Sequence, residues 1–456
     1  MTEVLTGKDA PIDFGKDKIG SLFSKIFFPT LIGMLANTIL TVIDGIFVGR
    51  GVGADGIAAV NIVAPLFLLT TGIGLMLGIG SSVLASIRLA ENNTAGASRI
   101  FTHAVVVGTV LVALLCLVCV AFPSGMVRML GSSARLEPHA LDYMLWLVPG
   151  LIFLMLECVG MMLIRLDGSP RYAMYCQVVS AALNILLDYV FVFPLGMGVK
   201  GAAIATSISI IVGGLMVLYY FLRMSSSLHF VRMSTDSGEL RLLGRNLFNI
   251  SRIGFPTFLS ELAMGIMMFT GNLVFMRWLG EEGVAAYAIA CYLFPVVFSI
   301  SNAVAQSAQP IISYNYGAGD SGRVRQALRV ALIAAVVSGV VVTVGLFIGS
   351  KAVAGAFLSS AEPAYAYAVA GLPLFALCAM PFAINITAIG YYQSIEQAVR
   401  PLIFTLLRGL IFMVPAFLLL PDLTGVSGLW LAIPAAELAT LLVIAADFFR
   451  RHHRPH

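Results

Sequence analysis

The sequence predicts an all-α integral membrane protein: twelve transmembrane helices in two parallel six-helix repeats, an N-lobe and a C-lobe, around a central cavity. Three observations carry that expectation. The 456-residue chain is 59% hydrophobic and 11% charged, with mean hydropathy +0.96, whereas a soluble domain carries roughly 25% charged residues. Its apolar runs, such as 105–122, 330–348 and 402–420, approach the ~20 residues that cross a bilayer as a helix. The chain also repeats itself. Shifted by 227 residues, it matches at twelve of the 38 positions from Pro29 to Leu66, including Pro29/Pro256, Thr30/Thr257, Arg50/Arg277, Gly53/Gly280, Gly56/Gly283, Ala58/Ala285 and Ala59/Ala286. The same register returns at Pro194/Pro421, Gly198/Gly425 and Gly201/Gly428. Apolar segments match by chance because few residue types are in use; prolines, glycines and an arginine in one register do not. Such a duplication suits alternating access by two bundles, although a channel or a membrane enzyme could share the architecture.

Residues 1–20 are polar and hold no cleavable signal pattern, so the first apolar segment is expected to stay as a membrane helix. Six spans follow near 22–48, 57–84, 101–122, 141–164, 172–194 and 201–222, forming an N-lobe over 21–223. The longest polar stretch, 224–249, carries a serine run and several arginines and is expected to join the halves on the cytoplasmic face. Six further spans near 252–278, 284–312, 327–349, 365–390, 399–420 and 427–448 form a C-lobe over 250–448, with 449–456 a tail. An even number of spans per half inserts both halves in the same orientation, with a cavity between them. A membrane β-barrel is disfavoured, since alternating strands never give runs this long. With the N-terminus inside, twenty Lys and Arg fall on the inner side and six outside. That excess places both termini in the cytoplasm and reads the net charge of +4 as topology rather than nucleic-acid binding. All six cysteines lie in spans; Cys116 and Cys119 have CxxC spacing without a histidine or second pair, so neither a metal site nor a disulfide is expected.

Ionisable groups inside a bilayer are expensive and mark function by default. Away from span ends they are Asp44, Glu157, Asp188, Glu261, Glu437 and Arg408. Asn37, Thr41 and Asp44 recur on one face of the first span, and Asn184 and Asp188 on one face of the fifth. Two carboxylates close together in a poor dielectric cannot easily both ionise. That suits a group taking up a proton outside and releasing it inside; the same oxygens also suit Na⁺. At +227 the partners of Asp44 and Asp188 are Gly271 and Pro415, so acid chemistry is concentrated in the N-terminal half. Pro29, below Asp44, either bends the helix in response to protonation or sets a static kink. In the second half Glu261 precedes Met264, Met267 and Met268, a combination that suits cationic ligands of varied shape. Ser299, Asn302, Gln306 and Gln309 form a polar stripe on span eight, and span ten ends with Asn385, Thr387, Tyr391, Tyr392 and Gln393. Such stripes face the cavity or hydrogen-bond neighbouring helices. Arg408 needs a counter-charge, with Glu261 and Glu437 as candidates.

At these residues the chain resembles multidrug and toxic compound extrusion (MATE) transporters, closest to the DinF-like and MepA-like branches. The segments carrying the likeness are PTLIGMLANTILTVIDGIFVGRGVGADGIAAVNI in the first two spans, NILLDYVFVFPLGMGVKGAAIATSIS around spans five and six, and GFPTFLSELAMG, GVAAYAI and GVSGLWLAIPAAE in the second half. The resemblance implies export of organic, mainly cationic, drugs in exchange for inward H⁺ or Na⁺. It implies an N-lobe cation site at Asp44, Asn184, Asp188 and Thr206, and a functional Pro29. Asn37, Thr41, Glu261, Met264, Met268, Asn302 and Gln306 are the expected substrate-cavity residues. The chain departs from branches with a C-lobe Na⁺ site: Glu261 is only an approximate counterpart, and Asn385 stands near the place of a missing tenth-span acid. Expected partners are small organic cations and the bilayer, with no cofactor beyond the coupling ion, no nucleic acid, a single copy, and an inner (plasma) membrane location.

The main alternative is a lipid-linked precursor flippase of the same superfamily, which should carry several cavity arginines where this chain has Arg408. A membrane enzyme fits worse. The histidines sit at ends and loops without a nucleophile–base pair or metal-ligand cluster, and there is no phosphate-binding loop for ATP. A passive channel fits poorly with parallel repeats and buried acids.

Overall fold

The computed structural model describes residues 12–234 and 236–452; the expected tail segments 1–11, with Lys8, and 453–456, with Arg454, lie outside the described residues. Every regular element among the described residues is a helix. In order they are α1 (Ile19–Gly51), α2 (Ala54–Ala90), α3 (Thr94–Ala121), α4 (Pro123–Met129), α5 (Glu137–Leu166), α6 (Pro170–Val192) and α7 (Gly198–Arg223), followed by α8 (Ser237–Gly317), α9 (Ser321–Phe357), α10 (Pro363–Ala376), α11 (Ala379–Ser394), α12 (Val399–Leu406), a π-helical turn (Leu407–Ile411), α13 (Met413–Thr424) and α14 (Val426–His452). Ten continuous helical stretches are long and apolar enough to span a bilayer, and α10 with α11 forms an eleventh, bent by 41°. One of the ten, α8, is two helices in series. Its 81 residues would measure about 120 Å if straight, but the helix breaks at Gly280, with φ 64° and ψ −153°. The count is therefore twelve.

Two of the glycine pairs that hold the repeat register turn the chain. Gly53 (φ 88°) separates α1 from α2, and its partner Gly280 (φ 64°) separates the arms of α8. Gly198 (φ 59°) opens α7, and its partner Gly425 (φ 64°) separates α13 from α14. Positive φ with strongly negative ψ, as at Gly53, Gly280 and Gly425, is essentially a glycine conformation, which explains why glycine stands at these positions. The acid two residues after each first turn also has a parallel use. Asp55 accepts two 2.8 Å hydrogen bonds from Arg135, just before α5. Glu282 accepts one from the Ala364 N–H at the start of α10.

Two compact units divide the chain: one runs to Phe258 and includes Ser313–Ser321, and the other holds Leu259–Ile312 and everything after Gly322. In the first unit α5 is central, packing against α2, α3 and α7, while α6 packs on α1 and α7. Small residues let backbones approach, as is usual between membrane helices. A Cβ at Gly160 would collide with Val217, and one at Gly78 would lie 3.0 Å from the Cys158 carbonyl. The expected linker is tied down. Asp167, after α5, accepts from the Tyr220 hydroxyl at 2.7 Å, the Ser226 N–H at 2.9 Å and the Ser227 N–H at 2.8 Å. Residues 237–249, expected as linker, are the helical start of α8. Their first turn is fastened to the buried His103, whose Nε2 lies 3.3 Å from Glu239 and whose Nδ1 lies 3.1 Å from the Asn246 amide. The far end of α8 returns to this unit, where Asn315 donates to the Phe14 carbonyl at 3.0 Å. Arg165, expected among the inner-side charges, is buried beside Met162.

The second unit has an aromatic core. Phe275 stacks on Tyr287 at 4.5 Å and meets Trp430 edge-on at 5.1 Å, with Phe294 against Phe382 at 5.2 Å. Two spans are irregular where the sequence suggests simple helices. Span ten, expected over 365–390, breaks at Leu377–Cys378. Pro381 then falls in the first turn of α11, where its missing N–H costs nothing. Span eleven contains the π-turn, in which the Phe412 N–H reaches back five residues to the Leu407 carbonyl at 2.8 Å.

Replacing Gly280 with alanine should destabilise the protein by roughly 1–3 kcal/mol, read as a lower thermal midpoint in detergent. Gly345→Ala, at a helical position with open space around it, should leave that midpoint unchanged or raise it.

Candidate functional site

In the first unit four helices bring one cluster together. Asp44 comes from α1, Tyr143 from α5, Asn184 and Asp188 from α6, and Thr206 from α7. The Asp44 and Asp188 carboxyl groups lie against one another. Asp188 is fully buried and Asn184 is 2% exposed, whereas Asp44 is half-buried. Asn184 Nδ2 donates to Thr206 Oγ1 at 3.4 Å, and the Thr206 and Tyr143 hydroxyls are hydrogen-bonded. One oxygen of Asp44 and both of Asp188 are buried without an N–H or O–H donor among the described residues. Two apposed carboxylates in a poor dielectric are electrostatically unfavourable unless a proton is shared between them or a cation sits there. The four residues expected to form the cation site are therefore brought together. Tyr143 is the member sequence reasoning missed: at the outer end of a span a lone tyrosine looks like ordinary interfacial aromatic, and its approach to both acids exists only in the fold.

The equivalent place in the second unit is filled. Gly271 stands where Asp44 stands in the repeat, and a Cβ on it would collide with the Tyr287 ring and hydroxyl. Charge in this unit lies elsewhere. Arg408, in the π-turn, donates to Glu437 Oε1 from Nε at 3.1 Å and Nη2 at 2.9 Å. Asn385 Nδ2 donates to Glu437 Oε2 and to its backbone carbonyl, each at 2.8 Å. The guanidinium lies over the Phe382 ring, 4.3 Å from its centroid. Glu437 is 0% and Arg408 5% exposed. Of the two candidate counter-charges for Arg408, Glu437 is the partner. A cavity of about 20 Å³, room for one water, is lined by Ser260, Met264, Met267, Phe294, Phe298 and Arg408, among others.

The remaining expected residues are dispersed. Pro29 is buried within a continuous α1. Thr41 is exposed and donates to the carbonyl of Asn37 on its own helix at 3.0 Å. Glu261 and Gln306 are buried, Met264 lines the small cavity, and Met268 packs partly buried against the aromatic core. Asn302 donates to the Phe298 carbonyl of its own helix at 3.0 Å. The polar end of span ten bonds between helices: besides Asn385, the Tyr392 hydroxyl donates to Asp447 on α14 at 3.1 Å. Glu157 is buried on α5 and Cys116, Cys119, Cys158, Cys176, Cys291 and Cys378 are all free thiols.

Comparison with known proteins matches this architecture. The family described as MatE matches residues 29–190 and 256–418, one copy in each half. Among curated proteins the chain is similar to the multidrug export protein MepA of Staphylococcus saprophyticus subsp. saprophyticus, 25% identical over 429 residues and covering 91% of each chain. It is 23% identical over 445 residues to MepA of Staphylococcus aureus strain MRSA252, covering 96% of this chain and 95% of the relative. Among solved structures it superposes on "Crystal structure of MATE in complex with MaL6" with TM-score 0.89 at 23% identity, covering 97% and 98% of the two chains. "Outward-facing conformation of a multidrug resistance MATE family transporter of the MOP superfamily" gives TM-score 0.88 at 23% identity and the same coverage.

The Arg408–Glu437 pair supports a double-mutant test. Glu437→Gln or Arg408→Met alone should each cost about 3–5 kcal/mol of stability, because each leaves a buried group without its partner, while Arg408→Met with Glu437→Leu should recover most of it. Thermal midpoints of the three variants measure the difference.

Proposed function

The chain belongs to the MatE family of multi-span membrane transporters, and from that premise we propose that it is a secondary active antiporter exporting organic, mainly cationic, drugs in exchange for inward H⁺. The halves 21–223 and 250–448 alternate access to a central cavity, with both termini in the cytoplasm of an inner (plasma) membrane and a single copy as the working unit. The observation that carries this reading is the apposed pair Asp44–Asp188. A shared proton satisfies both carboxyl groups at once, and its loss to the inner side leaves like charges that repel across α1 and α6. Such a change in local repulsion is what an alternating-access cycle needs from its coupling ion. Asn184, Thr206 and Tyr143 line the acids, with Asn184 bonded to Thr206. Pro29 lies on the same helix as Asp44, where a missing backbone hydrogen bond makes bending cheaper. In this reading Asn37, Thr41, Glu261, Met264, Met268, Asn302 and Gln306 meet the drug, and no cofactor takes part. Na⁺ is the competing ion for the same oxygens.

Flippase activity is disfavoured by the geometry of Arg408: its guanidinium is engaged by Glu437 and Phe382 rather than held free for a pyrophosphate. The family is one of transporters and not of enzymes.

Efflux of ethidium from proteoliposomes separates the possibilities. A pH gradient imposed alone should drive transport and a Na⁺ gradient alone should not. Asp44→Asn and Asp188→Asn should each slow it at least about tenfold, the rate equivalent of ~1.4 kcal/mol. Drive by Na⁺ alone would reassign the ion, and folded wild type that responds to neither gradient would overturn the antiport reading.

A further inference from the structure

A second buried acid lies inside the first unit, and the cation site does not use it. Glu157 is on α5, roughly four turns beyond Tyr143 on the same helix face. Its side chain is 8% exposed. α7 runs parallel to α5, with Gly150 at Ser207 and Gly160 at Val217, and offers Gly213 opposite Glu157. A Cβ on Gly213 would stand 3.0 Å from Oε2 and 3.1 Å from Oε1, so the missing side chain makes the room that the carboxyl group fills. From α6, Cys176 is the titratable neighbour. No N–H or O–H among the described residues donates to this carboxyl. An apolar side chain of similar size would pack the same helix interface without the cost of desolvating an acid. The acid is therefore a poor choice for packing alone.

α7 carries hydroxyl residues at Thr206, Ser207 and Ser209, along the stretch of helix between the level of Asn184 and Gly213. Asn184 donates to the Thr206 hydroxyl, Ser209 Oγ donates to the Thr206 carbonyl at 2.8 Å, and Ser180 Oγ donates to the Ser209 carbonyl at 2.9 Å. Ser207 Oγ is buried against Gly150 without a hydrogen-bond partner. From Thr206 to Gly213 the rise along α7 is about 10 Å. Hydroxyl groups both accept and donate, so each can take a proton on one side and give one up on the other.

We propose that Glu157 is an inner proton station: a proton given up by Asp188 is taken up by Glu157 and leaves from there toward the inner side. The O–H bond of the Asp188 acid breaks and an O–H bond forms on Glu157. Asp188 ends as the carboxylate and Glu157 as the neutral acid, with no other reactant consumed. The proposal rests on the H⁺-antiport reading and adds to it the route by which the proton leaves the paired acids.

The test is Glu157→Gln, which keeps shape and removes the proton, with Glu157→Asp as a variant that keeps the proton. In proteoliposomes the Gln variant should bind ethidium within about twofold of wild type yet lose at least about tenfold of its pH-driven efflux and its proton release; the Asp variant should retain part of both. Asp188→Asn is the control for the underlying reading. If wild type shows no pH-driven efflux, the antiport reading itself falls. If wild type and the control behave as expected and Glu157→Gln transports like wild type with the same proton-to-drug ratio, the Glu157 station alone is overturned. Infrared titration in detergent gives a readout independent of transport: a protonated carboxyl band should be absent in Glu157→Gln and displaced in Glu157→Asp. A band unchanged in both variants would also overturn the proposal, and the Asp variant carries the test should the Gln variant not fold.

Discussion

Within hydrocarbon no water completes the hydrogen bonds of the peptide group, so each backbone N–H and C=O must find its partner inside its own helix. The architecture follows from that constraint. Reversals must be short, and the chain makes them at glycines whose backbone conformation other residues avoid: Gly53, Gly198, Gly280 and Gly425. The same four positions hold the 227-residue register in the sequence, so the repeat is preserved where backbone geometry leaves least choice. Departures from the helix inside spans come with a reason. The break at Leu377–Cys378 is followed by Pro381, and the π-turn at Leu407–Ile411 surrounds Arg408. A π-turn displaces a side chain from its regular helical position and is often found where a side chain has a special task.

Given one scaffold in two copies, the halves solve the problem of buried polarity differently. The first unit accepts two facing carboxyl groups, three of whose oxygens are buried without a donor among the described residues. The second fills the matching place with Tyr287 and keeps its charge as an Arg408–Glu437 pair that also accepts from Asn385. A closed ion pair with good hydrogen bonds is neutral and static. A pair of like groups is sensitive to every proton that arrives or leaves. The asymmetry leaves the apposed acids in the first half, while the second has an aromatic core of Phe275, Tyr287, Phe417 and Trp430.

Much of this is legible in the sequence because its causes are local. Hydrophobic run length predicts spans, and residue spacing puts Asn184 and Asp188 on one helix face. The +227 comparison already shows that Asp44 and Asp188 have no counterparts. What is not legible depends on neighbours from other helices. Tyr143 carries no local mark that distinguishes it from an interfacial aromatic. Polar stripes look alike whether they face a cavity or a partner helix, and Asn385 and Tyr392 turn out to bond α14. The helical start of α8 within 237–249 is hidden by its polar composition, because its contacts are to His103 rather than to lipid.

By itself the sequence determined the membrane class, the twelve spans and the duplication, and it singled out Asp44, Asn184 and Asp188, leaving Thr206 to the family resemblance alone. Each of these follows from hydrophobicity, backbone geometry or the cost of ionisable groups in lipid, all properties of a residue and its near neighbours. Tertiary structure alone decided that Arg408 pairs with Glu437 rather than Glu261, that Tyr143 joins the acids, that Tyr287 closes the matching place in the second half, and that Glu157 faces Gly213. These are contacts between distant segments. Their choice depends on helix rotation and register, where a displacement of one residue turns a side chain by about 100° and gives it different neighbours.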